Sequence, residues 1–170
     1  MILPTLLLLI FAGASRAETM FPALQFPDLN KNFVSLPSGL KGERNLVIIA
    51  FERKQQNDID TWLAVLPAML ANHPKVAYYE LPVIDKMNGM MRWFINNGMR
   101  GGIPDPAQRE RTITIYTDKK VFREALRIPD EKRIYLLMLN KAGEVLWRTD
   151  GIVSAEKQQA LKEHLATSHR

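Results

Sequence analysis

The sequence predicts one α/β domain, a mixed central sheet with helices on both faces. Three observations predict it. Leu46 to Ala50, closed by Phe51, and Ile134 to Leu139 are wholly apolar runs too short for helices with two wet ends. Such runs fit strands buried on both faces. Segments of helical periodicity separate the strand-like ones in the first half, beginning βαβ. The chain then closes as strand, tight turn, strand, helix, with Asn140-Lys141-Ala142-Gly143 as the turn.

Taken in order, residues 18–32 read as an extended lead-in, because Phe21-Pro22 and Phe26-Pro27 each hold the residue before the proline out of the helical region. Phe33 to Leu36 alternates weakly and predicts a short edge strand ending at the Pro37-Ser38-Gly39 turn. After the central strand, Asn57 or Asp58 is a candidate helix cap. Ile59, Trp62, Leu63, Leu66, Met69 and Leu70 then recur at helical spacing as far as Asn72. Val76 to Leu81 predicts a strand stopped near Pro82. Asp85 to Asn97 predicts a helix with Met87, Met90, Met91 and Phe94 on its core face, ended by Gly98. From Gly98 to Arg111 a long loop is expected. Thr112 to Tyr116 predicts a strand by β-propensity. Asp118 caps a short helix, Lys119 to Leu126, with Val121, Phe122, Ala125 and Leu126 inward. Glu144 to Arg148 answers the second apolar strand, and Ser154 caps a last helix with Leu161 and Leu165 inward.

At 170 residues, with 46% hydrophobic and 24% charged residues, the chain is ordinary for a globular protein with a real core. The net charge of +5 is scattered among acids, which argues against nucleic acid as a partner. The start is less ordinary. Leu6 to Ala12 is an apolar run followed by Ser15-Arg16-Ala17, a small-x-small site. This predicts a cleaved export signal over 1–17 and a mature chain in the periplasm or cell envelope, with a retained membrane anchor as the alternative. The chain contains no cysteine, so no thiol chemistry is open to it.

The span Ile134 to Gly151 and the strand NLVIIAF resemble the later strands and the pre-motif strand of thioredoxin-type proteins. The resemblance implies a thioredoxin-like sandwich over residues 33–170. It places the two redox cysteine positions at Gln56 and Ile59, and the facing proline near Arg133-Ile134, where none occurs. The redox function therefore does not carry over. Ala50 to Leu63, Arg111 to Ile128 and Tyr135 to Gly151 are also similar to the thioredoxin-like family that contains a mitochondrial assembly factor for the a-type subunit (subunit 6) of F-type ATP synthase. This second resemblance implies a chaperone-like binder of a membrane-protein client, possessing no enzyme activity and needing no cofactor.

Other chemistry is poorly supported. His73, His164 and His169 have no metal-ligand spacing, so no metal site is expected. Ser35, Ser38 and Ser154 lack a nucleophile elbow. Gly98, Gly101 and Gly102 follow a helix and lead into proline, which is wrong for a phosphate cradle. Glu52, Arg53 and Lys54 stand at the carboxyl end of the central strand, where α/β sheets build sites. A ligand or partner site and a solvated turn both remain open there.

The leading expectation is an exported assembly factor that binds a membrane-protein client through Trp93, Met99 and Arg100, with Glu52 and Arg53 as further contacts. The ATP synthase a-type subunit is the implied client, and peripheral membrane association is compatible. One alternative is an envelope enzyme of this fold with a cysteine-free site around Glu52, Arg53 and the Arg100–Arg111 loop. The other is a general envelope binding module. Trp93 as a core residue competes with Trp93 as an interface residue.

Overall fold

The computed structural model describes residues 18–167. The expected signal segment, 1–17, lies outside the described residues. Seven strands and six helices fill the rest: β1 (Leu24–Pro27), β2 (Phe33–Leu36), β3 (Arg44–Ala50), α1 (Gln56–Leu63), α2 (Leu66–Leu70), β4 (Val76–Asp85), α3 (Gly89–Gly102), α4 (Pro106–Arg111), β5 (Ile115–Thr117), α5 (Lys119–Ala125), β6 (Tyr135–Asn140), β7 (Val145–Asp150) and α6 (Ala155–Thr167). The main sheet has the order β5-β4-β3-β6-β7, with β4 parallel to both β3 and β5, and β6 antiparallel to both β3 and β7. Both apolar runs are thus interior strands, as their composition requires. Leu46, Val47, Ile48 and Ile49 are all fully buried.

Alternation along β3 divides the core. Val47 and Ile49 face a layer built with Leu81, Ile115, Phe122, Leu126 and Leu137, which α5 and the N-terminal segment cover. Leu46 and Ile48 face Ile59, Trp62, Leu66, Leu161 and Leu165, from α1, α2 and α6. Trp62 has its indole N–H satisfied by the Gly151 carbonyl at 2.9 Å, so the ring can be wholly buried without an orphaned donor.

The lead-in over 18–32 is not merely extended. It contains β1, which pairs with β2 as a separate antiparallel ribbon, Pro27 standing opposite Phe33 at its last pair. Upstream, Phe21 N–H donates to the Gly143 carbonyl and Val145 N–H to that of Thr19, so the segment also straps the β6–β7 hairpin. Gly143 has a φ of 92°, and a Cβ there would lie 2.5 Å from Pro37 Cγ. Both facts demand glycine.

Proline and glycine act differently from expectation at three places. The helix expected from Ile59 to Asn72 is broken at Ala64–Val65, because Pro67 lacks an N–H and sits in the first turn of α2 instead. β4 does not stop at Pro82. The proline falls in the break between the Glu80–Thr112 bridge and the β5 ladder that begins at Val83–Ile115, while the pairing with β3 runs on to it at Ala50. α3 begins later than expected, capped by Asn88, and runs through Gly98 until Ile103-Pro104 ends it. The expected long loop is therefore the end of α3 plus α4, which Asp105 caps.

Two helices also turn differently. In α5, Phe122 and Leu126 are inward as expected, but Val121 and Ala125 are exposed. In α3 no residue is buried. Its polar side docks: Asn96 accepts from the Tyr116 hydroxyl at 2.8 Å, the Arg92 guanidinium lies over the Tyr116 ring, and Met99 sulfur takes the Thr114 hydroxyl. The expected core face points outward.

Candidate functional site

In an open α/β sheet the natural site lies beyond the carboxyl ends of the strands. Here that place is the turn after β3, Phe51 to Gln56. It is closed by one side chain that sequence reasoning passed over. Gln55, in the 3₁₀ turn Arg53–Gln55, is buried. Its amide oxygen accepts from the main-chain N–H groups of Phe51 (2.8 Å) and Glu52 (3.2 Å). Its amide nitrogen donates to the Glu131 carbonyl at 2.7 Å. The Glu131 carboxylate meets Lys119 (3.4 Å) and Arg123 (3.2 Å), and Lys119 also donates to the Phe51 carbonyl at 3.1 Å. A buried carboxamide bridging two segments is detectable in sequence only as one more polar residue in a polar run.

Glu52 and Arg53 are exposed on this turn, and Glu52 pairs with Lys54 at 2.6 Å. Gln56 is exposed at the start of α1, and Ile59 is buried one turn on. Beside the turn, Asp85, Lys86, Asp118, Lys119, Lys120 and Glu131 line an open hollow of about 390 Å³. Neither charge sign dominates it.

Below the turn lies a second unforeseen residue. Glu80 points from the middle of β4 and is buried, with Oε1 lacking a hydrogen-bond partner. Burial pushes its carboxyl pKa up, and Asp60 adds to this. The nearby Gln108 and Gln56 carboxamides and the charge of Arg111 oppose it. Arg111, at the end of α4, lies over the Tyr78 ring at 4.8 Å with its Nε buried and unpartnered. A carboxylic acid held toward its neutral form next to the Gln56 turn is the most chemically distinctive group of the described residues. A glutamate inside an otherwise apolar strand, VAYYEL, was the available signal.

The other residues expected to bind a partner sit on α3 and are not brought to one patch. Trp93 is 60% exposed, which excludes the core reading. Met99 turns toward Thr114, and Arg100 Nε donates to the Leu29 carbonyl at 2.8 Å. Trp93 is instead joined by Phe94, 71% exposed, with ring centroids 6.2 Å apart, and by Met90 and Met91. No hydrogen bond or ion pair among the described residues links α3 to Glu52 or Arg53.

No protein-family model matches the chain, and no curated protein matches it in sequence. Solved structures do share its fold. The thioredoxin domain of a thiol-disulfide oxidoreductase from Bacteroides vulgatus superposes with a TM-score of 0.54 at 16% identity, over 89% of this chain and 99% of that one. BsSco, a member of the Sco family of cytochrome c oxidase assembly proteins, gives 0.55 at 13% identity, over 89% and 94%. The exposed lipoprotein thioredoxin of Streptococcus pneumoniae strain TIGR4 gives 0.50 at 14%, over 86% and 99%. The chain has a thioredoxin-like fold. The expectation that it is not an enzyme is corrected by these neighbours, among which are thiol-disulfide oxidoreductases. Lack of cysteine removes thiol exchange from this chain, not every chemistry the fold can hold.

Two predictions follow from this geometry. Because the folded pKa of Glu80 is raised above its unfolded value, its contribution to stability is full below the unfolded pKa. That contribution is lost as pH rises through the folded pKa. Glu80→Gln should therefore flatten the decline of Tm with rising pH above about 4.5, relative to the parent chain; parallel Tm–pH curves would contradict the assignment. Replacing Gln56 and Ile59 together by Cys should leave the fold intact and give an intramolecular disulfide under mild oxidant, since residues three apart on a helix are neighbours. Free thiols by mass spectrometry after oxidation would show that the turn is out of register.

Proposed function

We propose that this protein is an exported, envelope-facing assembly factor that binds a membrane-protein client through the outward face of α3. The exposed quartet Met90, Met91, Trp93 and Phe94 carries the reading. Five consecutive positions hold four large apolar side chains that the fold does not use. An exposed aromatic pair beside adaptable methionines is the composition of an interface centre. From Lys86 to Pro104 the chain has no acid, and two of its three cations, Arg92 and Arg100, are turned to the docked side of α3, so the outward face is apolar and suits an apolar client segment. Sharing a fold with a member of a cytochrome c oxidase assembly family supports the same class of role, and the ATP synthase a-type subunit is the client implied by the three sequence segments. An exposed lipoprotein among the fold neighbours supports the envelope location.

A second reading rests on a separate observation. Glu80, held toward its protonated form beside Gln56, would be the general acid of an enzyme site, on a fold that thiol-disulfide oxidoreductases share. This reading places a cysteine-free site at the β3 turn, not on α3.

Trp93→Ala and Phe94→Ala test the first reading. Both residues are exposed, so each change should alter stability by no more than about 0.5 kcal/mol. Recovery of the a-type subunit with the tagged protein from detergent-solubilised membranes should fall at least tenfold in the double variant. Undiminished recovery with the double variant would remove α3 as the client face.

A further inference from the structure

We infer that the hollow between β7 and the turn after α5 is a binding site for a small carboxylate with an apolar body. The hollow has a volume of about 290 Å³, and two arginines line it, Arg127 and Arg148. Arg148 is held by its Nη1 alone, which donates to the carbonyls of Leu126 (3.0 Å) and Arg127 (3.5 Å). Those bonds fix the plane of the guanidinium. Its Nε and Nη2 make no hydrogen bond among the described residues, leaving a planar fork of donors that matches the two oxygens of a carboxylate. Burial, and after it the neighbouring Arg127 charge, disfavour the cationic form of Arg148, and a carboxylate on its fork would offset them by direct charge pairing.

The backbone supplies an independent observation. α5 ends in a Schellman turn: Ile128 N–H reaches the Arg123 carbonyl (2.8 Å) and Arg127 N–H reaches that of Glu124 (3.1 Å). The residue in the left-handed position is Arg127, with φ 53°. Glycine or asparagine ordinarily stands there, because a Cβ is disfavoured. A bulky residue held against local preference is a feature of sites. The strained position sets Arg127 beside Arg148, its carbonyl accepting from the partner guanidinium.

The remaining lining gives the ligand its carbon body. Pro129, Leu137 and the Tyr135 ring form the apolar wall, and the Tyr135 hydroxyl already donates to Asp130 at 3.0 Å. The one carboxylate on the rim, Asp150, faces Arg133 at 3.5 Å. An anion with an aromatic or aliphatic tail fits this combination better than a bare inorganic ion. The carboxylate can belong to a free small molecule or to the C-terminus of a peptide.

Hydrocinnamate and its amide, titrated into the full chain and followed by backbone amide NMR, test the site. A peptide ending in phenylalanine, with its terminus free or amidated, distinguishes the two sources. Saturable shifts at 127–137 and 148–150 are expected for the free acids and not for the amides. Binding by the peptide acid alone assigns the site to peptide termini and supports it equally. Arg148→Leu and Arg127→Gly should each weaken binding at least tenfold. Arg127→Gly should also leave Tm unchanged or raised, because glycine suits the left-handed position, so lost affinity cannot be ascribed to misfolding. Equal binding of acid and amide, no saturable shift with any acid, or retained affinity in folded Arg127→Gly would overturn the inference.

Discussion

The Gln55 carboxamide is the interaction on which the arrangement of the site depends. At the end of the most buried strand, the chain must leave the sheet and start a helix within five residues. The N–H groups of Phe51 and Glu52 lose their sheet partners there, and Gln55 supplies an acceptor to both. By donating to Glu131 it also ties this turn to the segment that feeds β6, the second buried strand. Lys119 and Arg123 hold the same segment from α5. Gln55 thus joins two segments, and Lys119 and Arg123 add α5 as a third, at the end where the resemblance to thioredoxins places the redox pair. Where a thioredoxin exposes a reactive thiol, this chain has a satisfied, closed turn.

That closure moves attention to what the fold leaves open. α3 and α4 lie in the crossover between β4 and β5, and α3 buries nothing of its own. Tyr116, Thr114 and Leu29 hold it by polar groups, so its apolar side faces solvent. Two exposed aromatic rings and two exposed methionines add nothing to the stability of the isolated chain, and it is on this surplus that the proposed client contact rests. The Arg127–Arg148 hollow lies across the sheet, against the opposite edge strand, and calls for a different chemistry.

Much of the frame was legible because its determinants are local. The apolar runs at Leu46 and Ile134, the Asn140–Gly143 hairpin, the Asp118 cap and the inward Leu161 and Leu165 each follow from short-range pattern, and each stands as read. Errors arose where tertiary context overrides a local rule. Pro82 is tolerated because of where the neighbouring ladder begins, and Gly98 because the helix around it is pinned by Tyr116. Periodicity located an apolar face on Met87, Met90, Met91 and Phe94 but could not say whether that face meets the core or the solvent. Gln55 and Glu80 were illegible for a related reason. A buried polar residue declares itself only by its partners, and the one that ties Gln55 to another segment, the Glu131 carbonyl, is 76 residues away.

The central claim is that the turn after β3 is a closed structural clamp, not a vacant reactive loop. Gln55→Ala measures it most directly. Losing the carboxamide orphans two main-chain donors and the Glu131 carbonyl, a cost of about 2–4 kcal/mol. Thermal unfolding should fall by roughly 5–15 °C for a domain of this size. Hydrogen exchange at the Phe51 and Glu52 amides should accelerate before that of the rest of β3. A variant with unchanged Tm and unchanged protection at those two amides would contradict the account.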